Sequence, residues 1–546
     1  MTKPHAQPVP TEAPAAGPAL AASPVWEPLR QPLFRALWLA ALASNVGTWM
    51  QDVGATWLMT SLTTSPILIA LIQAATTLPV FLLALVAGAL ADVVDRRRLL
   101  IVTQSWMLLA SAALGALTVL GLAKAWVLLL FTFLVGTGNA LNAPAWQAII
   151  PELVGRRDLP SALALNGISV NLARAVGPAV AGLILAAAGP GATFLLNAVS
   201  FLGVVVVLFR WKRPPRQSLL PAETLLGALL AGMRYARHAP DLHAVLLRSS
   251  AFIVCGISMF ALLPVLLRFQ LGCGPTAYGL VLGCFGLGAV AGALLLPRLR
   301  QALSFDRLAQ AASLLFGLIL GGLAFAESYA LVCLLMTLGG AAWIALLTTF
   351  HTSAQASLAP WVRGRGLAVY LLVFFGGMAG GSALWGAVAT HLGLRAALVL
   401  AGAMTILGVP ATVRFRLRRG EAPDLAPSRH WPARVVVGEP DADHGPVLIT
   451  VEYRVDPDRA EDFSRAMRDV RRIRLRDGAF RWDLLSDPAD PGRYVESFLV
   501  ESWIEHLRQH ERVTVADREV EDRARLYHLG PGPPVVSHFV SRDLPR

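Results

Sequence analysis

Long apolar runs dominate this chain. Twelve stretches, near 34–58, 66–90, 99–121, 125–149, 161–188, 191–209, 243–267, 276–297, 307–325, 329–350, 366–389 and 393–413, consist mostly of Ala, Leu, Val, Ile, Phe and Gly. Crossing ~30 Å of hydrocarbon as a helix takes ~20 such residues. A backbone without water must satisfy its own hydrogen bonds, so these stretches are expected to be helical. The Gly and Pro inside them are tolerated in membrane helices. The pattern predicts an all-α membrane protein of twelve transmembrane helices. Residues 1–33, rich in Pro and Ala, lack a basic segment followed by an apolar one. They are expected to form a disordered tail and not a signal peptide.

The pattern repeats. Ala87-Gly88-Ala89-Leu90 recurs as Ala291-Gly292-Ala293-Leu294, an offset of 291 − 87 = 204. The same offset carries Gly177 onto Gly381 and Gly182 onto Gly386. This implies two parallel six-helix halves, 34–210 and 243–416, an arrangement that places a substrate site near the midplane between repeats. The connecting stretch 211–242 has Leu225, Leu226, Leu229, Leu230 and Met233 at helical spacing, followed by Arg234, Arg237 and His238. Two readings stand: an amphipathic helix on the membrane surface, or a plain linker helix.

Beyond the last run the periodicity changes. Residues 417–445 form a Pro-rich linker. In 446–542, Val447 to Val455 alternates like a strand. A helical face (Phe463, Met467, Val470, Ile473), two further strands, more helix and a final strand follow. The order β-α-β-β-α-β predicts a small α+β, ferredoxin-like domain.

Composition and charge agree. Of 546 residues, 55% are hydrophobic and only 15% charged, against about 25% in soluble domains; mean hydropathy is +0.57. The net charge of +12 could suggest nucleic acid, but its distribution argues otherwise. Arg96–Arg98, Arg156, Arg157, Arg210, Arg298, Arg300, Arg363, Arg365, Arg414 and Arg416 all fall on alternate connections, whereas the others hold only Lys124, Arg268 and Arg395. That asymmetry predicts a multi-pass membrane protein with both termini cytoplasmic. The four cysteines (255, 273, 284, 333) have no CxxC spacing, and are read as small core residues. His506 and His510 share a helix face, but no third ligand is evident in sequence. No metal, cofactor or catalytic group is expected.

Some polar groups fall inside the runs. Asp52 and Arg174 lie at membrane depth, which is costly unless the group is paired or faces water. For Asp52 a second reading is a wet position near the end of its span. Trp and amide side chains with few charges suit an aromatic, amphipathic cargo over a small cation.

The loop Gly88-Ala-Leu-Ala-Asp-Val-Val-Asp-Arg-Arg-Arg98 resembles the gating loop of the major facilitator superfamily at Gly88, Asp92, Arg96 and Arg97, and departs from it at Val93 and Asp95. The resemblance implies close helix approach at Gly88 and a charge clamp, with Asp95 paired to Arg97 or Arg98. Gly177, Pro178 and Gly182 resemble the Gly-Pro motif in the fifth helix of its exporters, which implies a close-packed interface between halves and favours export over import. Together with the tail, which looks like an antibiotic-biosynthesis-monooxygenase-type domain that pairs into dimers, the chain resembles the enterobactin-exporter-like branch. The resemblance implies a secondary active exporter of a siderophore, macrolide or similar compound across the inner membrane of a bacterium, driven by proton antiport. Because the first and fifth helices are neighbours in that superfamily, it implies that Asp52 and Arg174 pair and that Asp52 couples to protons. It also makes Asn45, Trp49, Asn139, Asn142 and Met259 candidate cavity residues, each with a helix–helix contact as the alternative. Other classes are a membrane-tethered cofactor-free oxygenase and a non-transporting sensor.

Overall fold

The computed structural model describes residues 24–155, 157–211, 225–417, 424–428, 430–431 and 444–541; the side chains of Leu85, Ala89, Asp92, Val93 and 225–231 are not among those described. The helices are α1 (Pro32–Leu62), α2 (Pro66–Val93), α3 (Arg96–Val119), α4 (Ala125–Leu153), α5 (Leu159–Arg210), α6 (Leu225–His238), α7 (Pro240–Gly256), α8 (Ser258–Val265), α9 (Pro275–Ala302), α10 (Phe305–Ala324), α11 (Tyr329–Ala356), α12 (Arg363–Leu392) and α13 (Leu394–Ala411). Ten helical segments among the described residues are long and apolar enough to cross a membrane, with α7, α8 and the turn to Gln270 counting as one.

One of the ten, α5, makes two passes. Gly189 has φ 75° in the middle of its 52 residues, a conformation that only glycine adopts freely. Before it, α5 runs parallel to α1: Trp38 Nε1 donates to the Leu165 carbonyl at 2.9 Å and Asn45 Nδ2 to Ser169 Oγ at 3.2 Å. After it, the direction reverses, with Gly54 of α1 against Thr193 and Gly47 against Asn197. The twelfth span is α1 itself, whose 31 residues extend roughly 45 Å. It is the most polar span because Asn45, Gln51 and Asp52 occupy its middle.

The internal repeat is visible in the packing. Gly177 lies against Trp49 of α1, and its counterpart Gly381 against Val254 and Ile257 at the seventh span. Gly182 meets Pro275 and Gly279 of α9, and its counterpart Gly386 meets Ile67 and Ala70 of α2. A Cβ added at Gly182 would lie 3.0 Å from the Pro275 carbonyl oxygen and 3.1 Å from the Gly279 Cα. Small residues let these backbones touch where lipid gives no hydrophobic drive for association. Two equivalent seams, α5–α9 and α2–α12, therefore join the halves. Cross-half contacts continue to Ala175–Gly286 and Phe81–Gly376 near mid-span. At Gly88, nearer the arginine-rich face, no described residue of another element lies within 4 Å of the Cβ position. The described cross-half contacts close the far face.

The C-terminal domain comprises β1 (Val447–Arg454), α14 (Ala460–Asp477), β2 (Arg481–Asp487), β3 (Asp490–Val500), α15 (Trp503–Arg512), α16 (Val515–Arg525) and β4 (Val535–Val540). Its antiparallel sheet has the order β2-β3-β1-β4, the ferredoxin-like order. One sheet face is buried under Phe463, Met467 and Val470 of α14. The domain rests on the arginine-rich face: Arg234 of α6 pairs with Glu505 at 3.1 Å, Arg476 lies 5.4 Å from the Tyr235 ring, and Arg512 lies 4.6 Å from the Trp361 ring.

Candidate functional site

The far face is sealed by side chains that meet across the halves. Trp57 of α1 stacks on Tyr278 of α9 with centroids 5.7 Å apart. Arg268 lies over the Trp57 ring at 5.2 Å and donates to Thr60 Oγ1 at 3.2 Å. The Ile67 amide donates to Thr390 Oγ1 at 3.2 Å on the second seam. None of these was foreseen: Arg268 reads in sequence only as a topology residue, and Trp57 and Tyr278 meet across a separation no local pattern reports.

Asp52 lies directly beneath this seal. It precedes Trp57 by five residues, roughly 7–8 Å along the helix, and ten residues of α1 follow it. One turn on, Thr56 Oγ1 donates to the Asp52 carbonyl oxygen at 2.8 Å. Asp52 is half-buried, on the side of the seal toward the arginine-rich face.

The Asp52–Arg174 pair expected from sequence is not formed. The helices are neighbours, but their register separates the charges. Trp49 is level with Gly177; Asp52 lies three residues beyond one and Arg174 three residues short of the other. On parallel helices that amounts to roughly 9 Å of axial offset. Arg174 is half-buried, and its carbonyl abuts Gly286 of α9 at the mid-span end of the seam.

The other candidates divide by position. Asn45 is half-buried and tied to Ser169, and Trp49 is half-buried against Gly177. Asn139 is also half-buried. Asn142 belongs to the seam between α3 and α4, its Oδ1 accepting from Thr103 and Gln104 at 3.2 Å each. Met259 is 1% exposed within the core of the second half, so it faces no cavity in this conformation. Gln51 accepts from Ser111 and Asn197, both at 2.7 Å, in a fully buried node.

The loop motif ties into the ends of neighbouring helices. Asp95 caps α3, its carboxylate accepting from the Arg98 backbone amide at 2.9 Å; such a cap supplies a partner to an otherwise orphaned helix-end donor. Arg97 donates to the carbonyls of Leu208 and Phe209 at the end of α5, at 2.8 and 2.9 Å. Arg96 pairs with Glu152 of α4 at 2.8 Å and donates to the Ala148 carbonyl at 3.1 Å. The arginines thus tie helix ends of the first half together. The Asp92 side chain lies outside the described residues. Among the described residues nothing packs closely on Gly88. Pro178 and Gly182 are in the α5–α9 seam, whereas Gly177 packs inside the first half.

In the C-terminal domain, buried charges are matched. Arg474 pairs with Glu496 at 2.9 Å and Glu521 at 2.5 Å. Arg476 pairs with Asp477 at 2.8 Å and Asp517 at 2.6 Å. Burial favours the neutral form of Glu521, but Arg474 and the His430 and Trp431 donors outweigh it and lower its pKa to about 2. Burial prevails at Asp477, raising it to about 6 against the pull of Arg476. The fold brings His538 to 4.7 Å from His506, centroid to centroid, and His510 to 5.0 Å. Among the described residues no group of three or more His, Cys, Asp or Glu is arranged to hold a metal.

Comparison with known proteins places this architecture. The transmembrane secretion effector family matches residues 23–546. The staphyloferrin A transporter of Staphylococcus aureus is 26% identical over 334 residues, covering 60% of this chain and 82% of that protein. The multidrug efflux pump Tap of Mycolicibacterium fortuitum is 26% identical, covering 71% and 97%. The enterobactin exporter EntS of Shigella flexneri is 28% identical over 41% of this chain and 54% of its own length. Among solved structures, an inward-facing bacterial Spinster homologue superimposes with TM-score 0.55 at 14% identity, over 72% of this chain and 100% of that one. An inward-facing bacterial ferroportin homologue gives 0.54 at 15%, over 70% and 98%. The two repeated six-helix halves have the major facilitator fold, and the chain belongs to the transmembrane secretion effector family of multi-pass membrane transporters.

Proposed function

We propose that this protein exports a small amphipathic compound, of the siderophore or macrolide and drug-like class, across the bacterial inner membrane in exchange for protons. The observation that carries this reading is Asp52, half-buried beneath the Trp57–Tyr278–Arg268 seal and not paired with Arg174. A carboxyl group at that depth is tolerated when it can be neutralised or reached by water. Protonation removes the charge, and a change of state that alters water access then couples proton movement to reorientation. The named relatives support export of siderophores or drugs. The arginine asymmetry supports cytoplasmic termini.

In this scheme Asn45, Trp49 and Asn139 contact the cargo. Asn142 and Met259 join them only if α4 and the seventh span rearrange. Arg174 supplies the second charge of the cavity. Gly88, Asp92, Asp95, Arg96 and Arg97 act when the arginine-rich face closes, bringing the open face of α2 against the other half. The Gly177–Pro178–Gly182 segment is the surface on which the halves rock.

The outward face of the C-terminal sheet suits a second copy of the chain. Its cross-strand rows include Leu499–Leu448–Phe539 and Leu485–Val495, with Phe539 56% and Leu485 54% exposed. An uncovered apolar sheet face of this kind marks an interaction site.

The test is transport into inverted membrane vesicles across a panel of siderophores and macrolides. An imposed proton gradient should drive uptake by the native protein. Uptake that is indifferent to the gradient, or a gradient response that survives in Asp52→Asn, contradicts the proposal.

A further inference from the structure

Where α6 meets the C-terminal domain there is a cleft of about 790 Å³, within the range of small-molecule sites. Its walls are unevenly charged. Arg234 and Arg237 come from α6, Arg471 from α14 and Arg481 from β2, against Glu501 alone, four positive groups to one negative. Arg234 is engaged by Glu505 and Arg481 by Asp483 at 2.8 Å. Arg237 and Arg471, which face the cleft from opposite walls, have no carboxylate partner among the described residues.

The cleft also holds two rings. Phe480 is 53% exposed. Trp482 is fixed, its indole N–H donating at 3.0 Å to the fully buried Glu496, which Arg474 holds in turn. The Arg471 guanidinium lies 5.9 Å from the Trp482 centroid, so charge and aromatic surface are adjacent. Guanidinium groups bind carboxylate, sulfonate and phosphate oxygens in paired hydrogen bonds, and an exposed ring beside them favours a flat apolar body.

We propose that this cleft binds an organic anion that carries an aromatic or other apolar body, held by Arg237 and Arg471 and stacked on Phe480 and Trp482. Two sources share that chemistry: a soluble aromatic carboxylate, and the headgroup and upper chain of an acidic lipid. Either would bridge α6 to the domain. Because only Ala239 separates α6 from α7, the occupant would fasten the domain to the second half.

The test uses the full-length transporter in nanodiscs of phosphatidylcholine, titrated calorimetrically with 2-naphthoate and with neutral 2-naphthalenemethanol, against empty discs. Saturable naphthoate binding is expected, weakened at least tenfold in the Arg237→Gln/Arg471→Gln double variant, with the alcohol not binding. Phe480→Ala, a change at an exposed ring that leaves the fold intact, should weaken naphthoate at least threefold. Equal affinity for acid and alcohol, or unchanged affinity in both variants, overturns the proposal. Discs containing phosphatidylglycerol separate the sources. Several-fold competition with naphthoate in the native protein identifies lipid, unchanged binding identifies a soluble anion, and both results uphold the site.

Discussion

The membrane bundle and the C-terminal domain treat buried charge in opposite ways. In the domain, Arg474 has two acids and Arg476 has two, all at hydrogen-bond distance. In the bundle, Asp52 and Arg174 are neighbours by helix yet offset by register. An ion pair removed from water holds only when geometry and extra hydrogen bonds offset the desolvation. The domain meets that condition, with Tyr453, Trp482, His430 and Trp431 completing the acids. A charge left without it at membrane depth points to function over stability.

Breaking the matched set should have the largest effect. Arg474→Met leaves Glu496 and Glu521 buried without their cation and should cost about 3–5 kcal/mol of domain stability. The check is hydrogen exchange of the β1 and β3 amides in the full-length protein. The same change at the unmatched position should do the reverse. Arg174→Met should shift unfolding by no more than about 1 kcal/mol, because it removes no pair, while abolishing vesicle transport.

Acidity separates the two acids of the domain. Glu521, lowered to about 2 from an ordinary value near 4.3, contributes stability above that ordinary value. The contribution is lost as pH falls through about 2, and Glu521→Gln should remove it. Asp477 is raised to about 6, so its contribution is present below about 4 and lost as pH rises through 6. Asp477→Asn should flatten the stability profile between those values, measured by the same exchange experiment. The smallest effect belongs to solvated pairs. Arg465→Ala, which breaks a bridge to Asp462 whose partners are 66% and 48% exposed, should change stability by less than about 0.5 kcal/mol.

What the sequence made legible follows from what is local. Twelve spans are visible because ~20 apolar residues are a local signal, and the ferredoxin-like strand order because alternation and turns are local too. The repeat offset even anticipates which glycines are equivalent, since Gly182 and Gly386 occupy matching seams. Contacts that depend on register or on conformational state were not legible. Apolar helices carry no sequence mark of axial stagger, so Asp52 and Arg174 could be placed on adjacent helices but not at their heights. Gly88 reads as a close-packing residue, yet no described residue of another element packs on it in this conformation. The seal of Trp57, Tyr278 and Arg268 joins residues more than 200 positions apart. The third ring of the His506–His510 cluster, His538, comes from the last strand.

The central claim is that Asp52 couples protons to cargo, and the most direct measurement separates exchange from driven transport in Asp52→Asn. Vesicles preloaded with a cargo identified from the panel are assayed for cargo–cargo exchange without a gradient and for uptake driven by one. The account predicts that Asp52→Asn retains exchange and loses driven uptake. Driven uptake that persists at the native level would contradict it.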